Sequence, residues 1–158
     1  MKHNITRVVI HCSATKETSD YSFEQLERDH KARGFDECGY SYYIRKDGTV
    51  HEGREIGKRL AHATGFNTNA IAICYEGGLD SSGKPKDTRT SQQKQALLNI
   101  ILFCKTVWPD ASVLGHRDLS PDKNGDGIIS PEEWLKDCPC FDVRVEYQLT
   151  LKQNGKTV

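Results

Sequence analysis

At 158 residues, 36% hydrophobic and 28% charged, the chain has the size and make-up of one globular domain with an apolar core. Lys plus Arg and Asp plus Glu total 22 each, and the resulting net charge of zero argues against a nucleic-acid partner. Its apolar runs are too short for a bilayer span, and residues 1–20 lack the apolar stretch of a secretory signal, so no membrane partner is expected and synthesis is expected in the cytoplasm. Cysteines at 12, 38, 74, 104, 138 and 140 are then expected to be reduced, most of them acting as small buried hydrophobes.

In chain order, Arg7 to His11 reads as a buried strand because Val8, Val9 and Ile10 form an unbroken apolar run. Ser22-Phe-Glu-Gln25 has the spelling of a helix start, and that helix is predicted to end at Gly34 with Phe23, Leu26 and His30 along one face. Tyr40 to Ile44 and Thr49 to His51 flank Asp47-Gly48, a hairpin signal. Ala70 to Tyr75 is a second buried strand, and residues 79–90 read as a long exposed loop. Thr90 to Gln93 caps the strongest helix, whose apolar positions Ala96, Leu97, Ile100, Ile101 and Cys104 recur at core-facing spacing. Ser112 to Leu114 is a short strand running into His116, and Pro131 opens a short helix through Trp134. Beyond Cys140, the alternation of Val143, Val145, Tyr147 and Leu149 suggests a strand, followed by a loose tail over 151–158. Buried strands interleaved with helices give a mixed α/β fold, a central sheet covered on both faces, with His11 and His116 at strand ends.

A catalytic zinc takes three protein ligands and leaves one position open, and His and Cys are among its preferred donors. Six histidines and six cysteines offer many triplets, however, and His11 reads equally as a core histidine and Cys138 as a buried thiol. Between His116 and Cys138, Asp122, Asn124, Asp126, Gly127 and Glu133 match the calcium-loop spacing at every defined position, with Ile128 placed to lend its carbonyl. A structural calcium ion that orders this insertion is the expectation, set against Pro121, which precludes an incoming helix.

Five segments occur in an order that carries a resemblance: IHCSAT at 10–15, GYSYYIRKDGTVHEGR at 39–54, AHATGFNTNAIAICYEG at 61–77, GHRDLSP at 115–121 and KDCPCFD at 136–142. Together they resemble the type-2 zinc N-acetylmuramoyl-L-alanine amidases, the family of the phage lysozymes and peptidoglycan-recognition proteins. That resemblance implies a mixed sheet flanked by helices within one amidase domain over 1–150. It also implies one zinc ion on His11, His116 and Cys138, catalytic roles for Tyr40 and Lys136, and His62 as a groove residue touching the bound muropeptide. Cys140 competes with Cys138, since side chains two apart in an extended segment share a side; the spacing from Lys136 favours Cys138. A helix from Phe141 is also implied, against the alternation noted above.

The implied activity is cleavage of the amide between N-acetylmuramic acid and L-alanine of peptidoglycan or muropeptides, by a monomer that reaches the wall through release or delivery by other machinery. Alternatives within reach of the same resemblance are a non-catalytic peptidoglycan-binding module and a regulator that binds a protein partner. A relative confined to soluble muropeptides would carry Asp as third ligand, which Cys138 opposes.

Overall fold

Register between strands decides where the chain places its polar residues. In the computed structural model, which describes residues 3–147, β1 (Arg7–Cys12) lies between two parallel neighbours, β5 (Ala70–Tyr75) and β7 (Ser112–Gly115). The other elements in chain order are β2 (Thr15–Lys16), α1 (Phe23–Ala32), β3 (Tyr42–Ile44), β4 (Val50–Glu52), β6 (Gly78–Leu79) and α2 (Ser91–Val107). The main sheet runs β4-β3-β5-β1-β7, and only the β3–β4 hairpin in it is antiparallel. The mixed sheet and flanking helices agree with the α/β class read from the sequence. Among the described residues no helix is long and apolar enough to cross a membrane.

The two faces of the sheet are built from different residues. Ile71, Ile73 and Tyr75 of β5 join Val8, Ile10 and Cys12 of β1 in the main core, against Leu97, Ile101 and Cys104 of α2. The alternate positions of β5 are Ala70, Ala72 and Cys74, which pack in smaller clusters with Leu26, Cys38, Tyr43 and Leu60. Side chains alternate across a strand, so bulk on one face and small residues on the other follow directly from the sequence of β5. The sparsely filled face is the one on which His11, paired in register with Cys74, projects.

Helix ends are held by the predicted caps. Ser22 Oγ accepts from the Gln25 amide at 3.1 Å, and Thr90 and Gln93 exchange reciprocal bonds at 3.1 and 3.0 Å. Buried Gln93 does more than cap, because its Nε2 donates to the Ile44 and Glu76 carbonyls and so ties α2 to the ends of β3 and β5.

Two expectations fail. Residues 143–147 are helical, with the Asp142 carboxylate accepting from the Val145 amide at 3.0 Å, so the strand reading is wrong over the described part; Leu149 and the tail lie outside the described residues. Positions 143 and 147 share a face in either geometry, but Val145 is 62% exposed, which a buried strand face would not allow. Nor is 79–90 an exposed loop throughout. β6 pairs with β2, and buried Arg89 bridges Asp87 and Glu146 with its guanidinium 3.2 Å from the Phe141 ring centroid. Composition marked the segment as polar but could not show that its one arginine closes an ion-pair knot over the C-terminal segment.

Buried His30 accepts the Gly39 N–H at 2.9 Å through Nδ1, which seats the backbone just before Tyr40. Burial, then the Arg33 and Arg54 charges, lower its pKa from 6.5 to about 4. Because the folded value lies below the unfolded one, the unfolded chain takes the proton first, and stability is lost as pH falls from about 6.5 through about 4. Urea unfolding of His30→Gln should show this acid slope reduced by roughly 1–3 kcal/mol relative to wild type. An unchanged slope would remove His30 as its source.

Candidate metal centre

Parallel pairing sets Ile10 opposite Gly115, so the residue that follows each in the chain, His11 still on β1 and His116 just past β7, is delivered to the same end of the sheet. Their ring centroids are 4.6 Å apart. His116 begins a single 3-10 turn, His116–Leu119, which turns the chain away immediately after the strand.

The third candidate arrives from residues 136–140, and three bonds position it. Arg117 N–H donates to the Cys138 carbonyl at 2.9 Å, Cys12 N–H to Cys138 Sγ at 3.3 Å, and the Tyr75 hydroxyl to the Pro139 carbonyl at 2.7 Å. Each partner sits beside a ligand or at the end of β5, so the segment is gripped by the strands that carry the histidines. Gly115 makes the approach possible, since a Cβ there would stand 2.8 Å from Pro139 Cδ. Gly115→Ala should therefore cost about 1–3 kcal/mol in urea unfolding and loosen any metal bound nearby; wild-type stability and affinity in this variant would show the contact to be slack.

His11, His116 and Cys138 each place one ligand atom within 4.8 Å of the others, and among the described residues no other set of His, Cys, Asp and Glu ligand atoms gathers in this way. His11 Nδ1 and Cys138 Sγ are 3.8 Å apart. Two donors of a tetrahedral zinc, with bonds of ~2.0 and ~2.3 Å, stand ~3.5 Å from one another, so the spacing suits zinc. The electrostatics suit a cation too. Burial, then the neighbouring His116, His62 and Lys136, hold His11 well below its ordinary pKa. Burial and Lys136 lower His116 to about 4, so both imidazoles offer lone pairs at neutral pH.

Around this trio opens a groove of about 630 Å³ whose walls include Tyr40, His62, Phe66 and Lys136. The Tyr40 ring lies 5.1 Å from that of His11, and burial above all drives its phenol well above the ordinary pKa, so it stays protonated. Lys136 is exposed at the rim. His62 lines the groove as expected, yet both its ring nitrogens are engaged, Nδ1 with His11 at 2.9 Å and Nε2 with the Phe66 carbonyl at 3.0 Å.

Cys140 does not compete for the metal position. Its backbone is left-handed at φ 70°, not extended, and its sulfur lies against Cys12 Sγ at 3.9 Å. All six cysteines are free thiols, and four of them are buried.

Sequence reasoning passed over Asn67, whose Oδ1 accepts the His62 and Ala63 amides at 2.9 and 3.0 Å and holds the His62 turn in shape. The AHATGFN spelling contains that Asn, and Asn in a turn is the available signal. It also passed over the amides of Cys12 and Arg117, which bond through the main chain and leave no trace in residue type.

The calcium expectation finds no support. Glu133 turns one carboxylate oxygen onto the Lys123 and Asn124 amides and the other onto Ser130. Asp122 accepts from Gly125 and Gly127, Asn124 from Asp126, and Asp126 from Ile128. The loop is closed by its own main chain, with the Ile128 side chain 65% exposed.

Fold and site together define an α/β protein with a His-His-Cys group that could hold a metal ion, set in an open groove. The chain belongs to the N-acetylmuramoyl-L-alanine amidase family, whose model matches residues 1–132, and it is accordingly an amide hydrolase. That match includes His11, Tyr40, His62 and His116 and stops short of Lys136 and Cys138. An uncharacterized protein of Haemophilus influenzae is 50% identical over 97 residues, 61% of this chain and 84% of that protein. The endolysin of Klebsiella phage KP32 is 32% identical over 143 residues, 90% of this chain and 85% of the relative. Among solved structures, the N-acetylmuramoyl-L-alanine amidase LysC from Clostridium intestinale shares the fold with a TM-score of 0.71 at 24% identity, over 97% of this chain and 87% of that one.

Proposed function

We propose that the protein is a zinc-dependent peptidoglycan hydrolase that cleaves the amide between the lactyl group of N-acetylmuramic acid and L-alanine of the stem peptide. The observation that carries this reading is the convergence of His11, His116 and Cys138 in a groove of about 630 Å³. Family membership supports the amide bond as the target, and the endolysin relative supports the cell wall as its location.

His11, His116 and Cys138 would hold the ion. When bound, zinc in such a site supplies Lewis acidity toward water and the scissile carbonyl. The remaining work belongs to the chain. Attack on an amide develops negative charge on the former carbonyl oxygen, and the ammonium of Lys136, a groove-lining residue, would oppose it. Tyr40, held protonated by burial, serves as a hydrogen-bond donor beside His11 and not as a base. Phe66 and the aromatic wall bury the apolar parts of the substrate and keep the reacting amide over the ligand trio.

Digestion of purified peptidoglycan, followed by mass spectrometry of soluble products, tests the assignment. Zinc-loaded protein should release intact stem peptides, chelation should stop this, and added zinc should restore it. His11→Ala should neither retain the ion nor cut. Lys136→Met and Tyr40→Phe should keep the ion and lose roughly 10²–10³ in kcat. Equal release after complete metal removal would overturn the zinc reading; muropeptides bound but never cut would point to a recognition module instead.

A further inference from the structure

We propose that His62 is a positioning residue for the metal site, fixing the tautomer and orientation of His11, and that this is its main role in the groove. The inference rests on the zinc reading above and deepens it.

The argument follows the protons. A carbonyl oxygen can only accept, so the 3.0 Å contact between His62 Nε2 and the Phe66 carbonyl requires the proton on Nε2. A neutral imidazole carries one N–H, so His62 Nδ1 presents a lone pair. Facing it at 2.9 Å is His11 Nε2, which must then be the protonated nitrogen of its own ring. His11 is left with its Nδ1 lone pair free, and Nδ1 is the atom 3.8 Å from Cys138 Sγ. The relay from the Phe66 carbonyl through His62 to His11 thus specifies which His11 nitrogen can bind a cation. Such outer hydrogen bonds set ring orientation and raise ligand basicity.

The geometry around His62 is built to hold that direction. The two rings meet edge to face, with centroids 5.0 Å apart and planes at 85°. Asn67 pins the turn by accepting the amides of both His62 and Ala63, while the Leu60 amide donates to the Asn67 carbonyl at 2.8 Å. With both ring nitrogens occupied, a muropeptide can reach His62 only through ring carbons unless the relay is broken. Cys138 is oriented in a comparable way, from the backbone, by the Cys12 amide on its Sγ.

Three forms of the full chain test this: wild type, His62→Asn and His62→Leu. Asn can return an acceptor oxygen near the place of Nδ1, whereas Leu fills similar space with none. Zinc affinity is measured by competition with a chromophoric chelator, alongside the thermal midpoint of each metal-free form and kcat and KM on soluble muropeptide. His62→Leu should bind zinc about 10–100-fold more weakly at an unchanged metal-free midpoint, with most of the loss recovered in His62→Asn. If His62→Leu does not fold, His62→Ala, which also lacks a side-chain acceptor, replaces it under the same criteria. Zinc affinity within twofold of wild type in the variant lacking the acceptor overturns the proposal, and a raised KM alone would return His62 to substrate contact. Wild type that takes up no zinc would instead overturn the metal reading itself.

Discussion

Everything at this site depends on the parallel pairing of β1 with β7. Those strands are far apart in sequence, and one ladder brings Ile10 opposite Gly115 so that two histidines leave the sheet side by side. A slip of one residue would turn His11 to the opposite face and into the α2 core, because side-chain direction alternates with every residue. The register is protected by burial. Val8, Val9, Ile10 and every residue of β5 are inaccessible or nearly so, and no shifted pairing would keep both faces apolar. Packing of the core and placement of the ligands are therefore one constraint.

The third ligand has no strand to place it, and the structure compensates with many small attachments. Main-chain bonds from Arg117 and Cys12, and the Tyr75 hydroxyl, hold Cys138 and Pro139 from three sides. Further along, Phe141 and Val143 enter the main core, and Arg89 locks the helical 143–147 segment through Glu146. Buried Arg89 is matched by carboxylates on both sides, which is the condition for a charge to sit inside without a large penalty. An ion that binds these three side chains thus meets donors already ordered, and loses less free energy to fixing them than it would on a mobile tail.

The sheet, both long helices and their caps were legible because each rests on local pattern: the VVI and AIAICY runs, the Thr90-to-Gln93 box, the Asp47-Gly48 turn. The grouping of His11, His116 and Cys138 was legible only through resemblance, since nothing local in His11 or Cys138 distinguishes a ligand from a core residue. What stayed hidden was long-range and carried by the main chain. Neither the amides that grip Cys138 nor the proton direction in His62 has a residue-type signature. Over 143–147 the alternation suggested a strand and the resemblance a helix, because positions 143 and 147 satisfy both periodicities; the Asp142 cap was the local signal that favoured the helix.

The insertion at 122–133 shows why a complete motif is weaker than a geometry. Its spelling satisfies every defined calcium position, yet the carboxylate that ought to bind bidentately is turned onto three backbone amides and a hydroxyl. Short Asp and Asn side chains favour such contacts with neighbouring amides in any tight turn, with or without an ion. What the loop does accomplish is connection. Leu135 N–H reaches back to Ser120 Oγ at 3.0 Å, and Arg117 lies over Trp134 at 3.9 Å from the ring centroid, so the insertion's two ends are joined where it leaves and re-enters the domain. With its ends tied, the length and charge of the loop can vary at little cost to the Lys136-to-Cys138 return. The metal geometry is then insulated from whatever the insertion itself contacts.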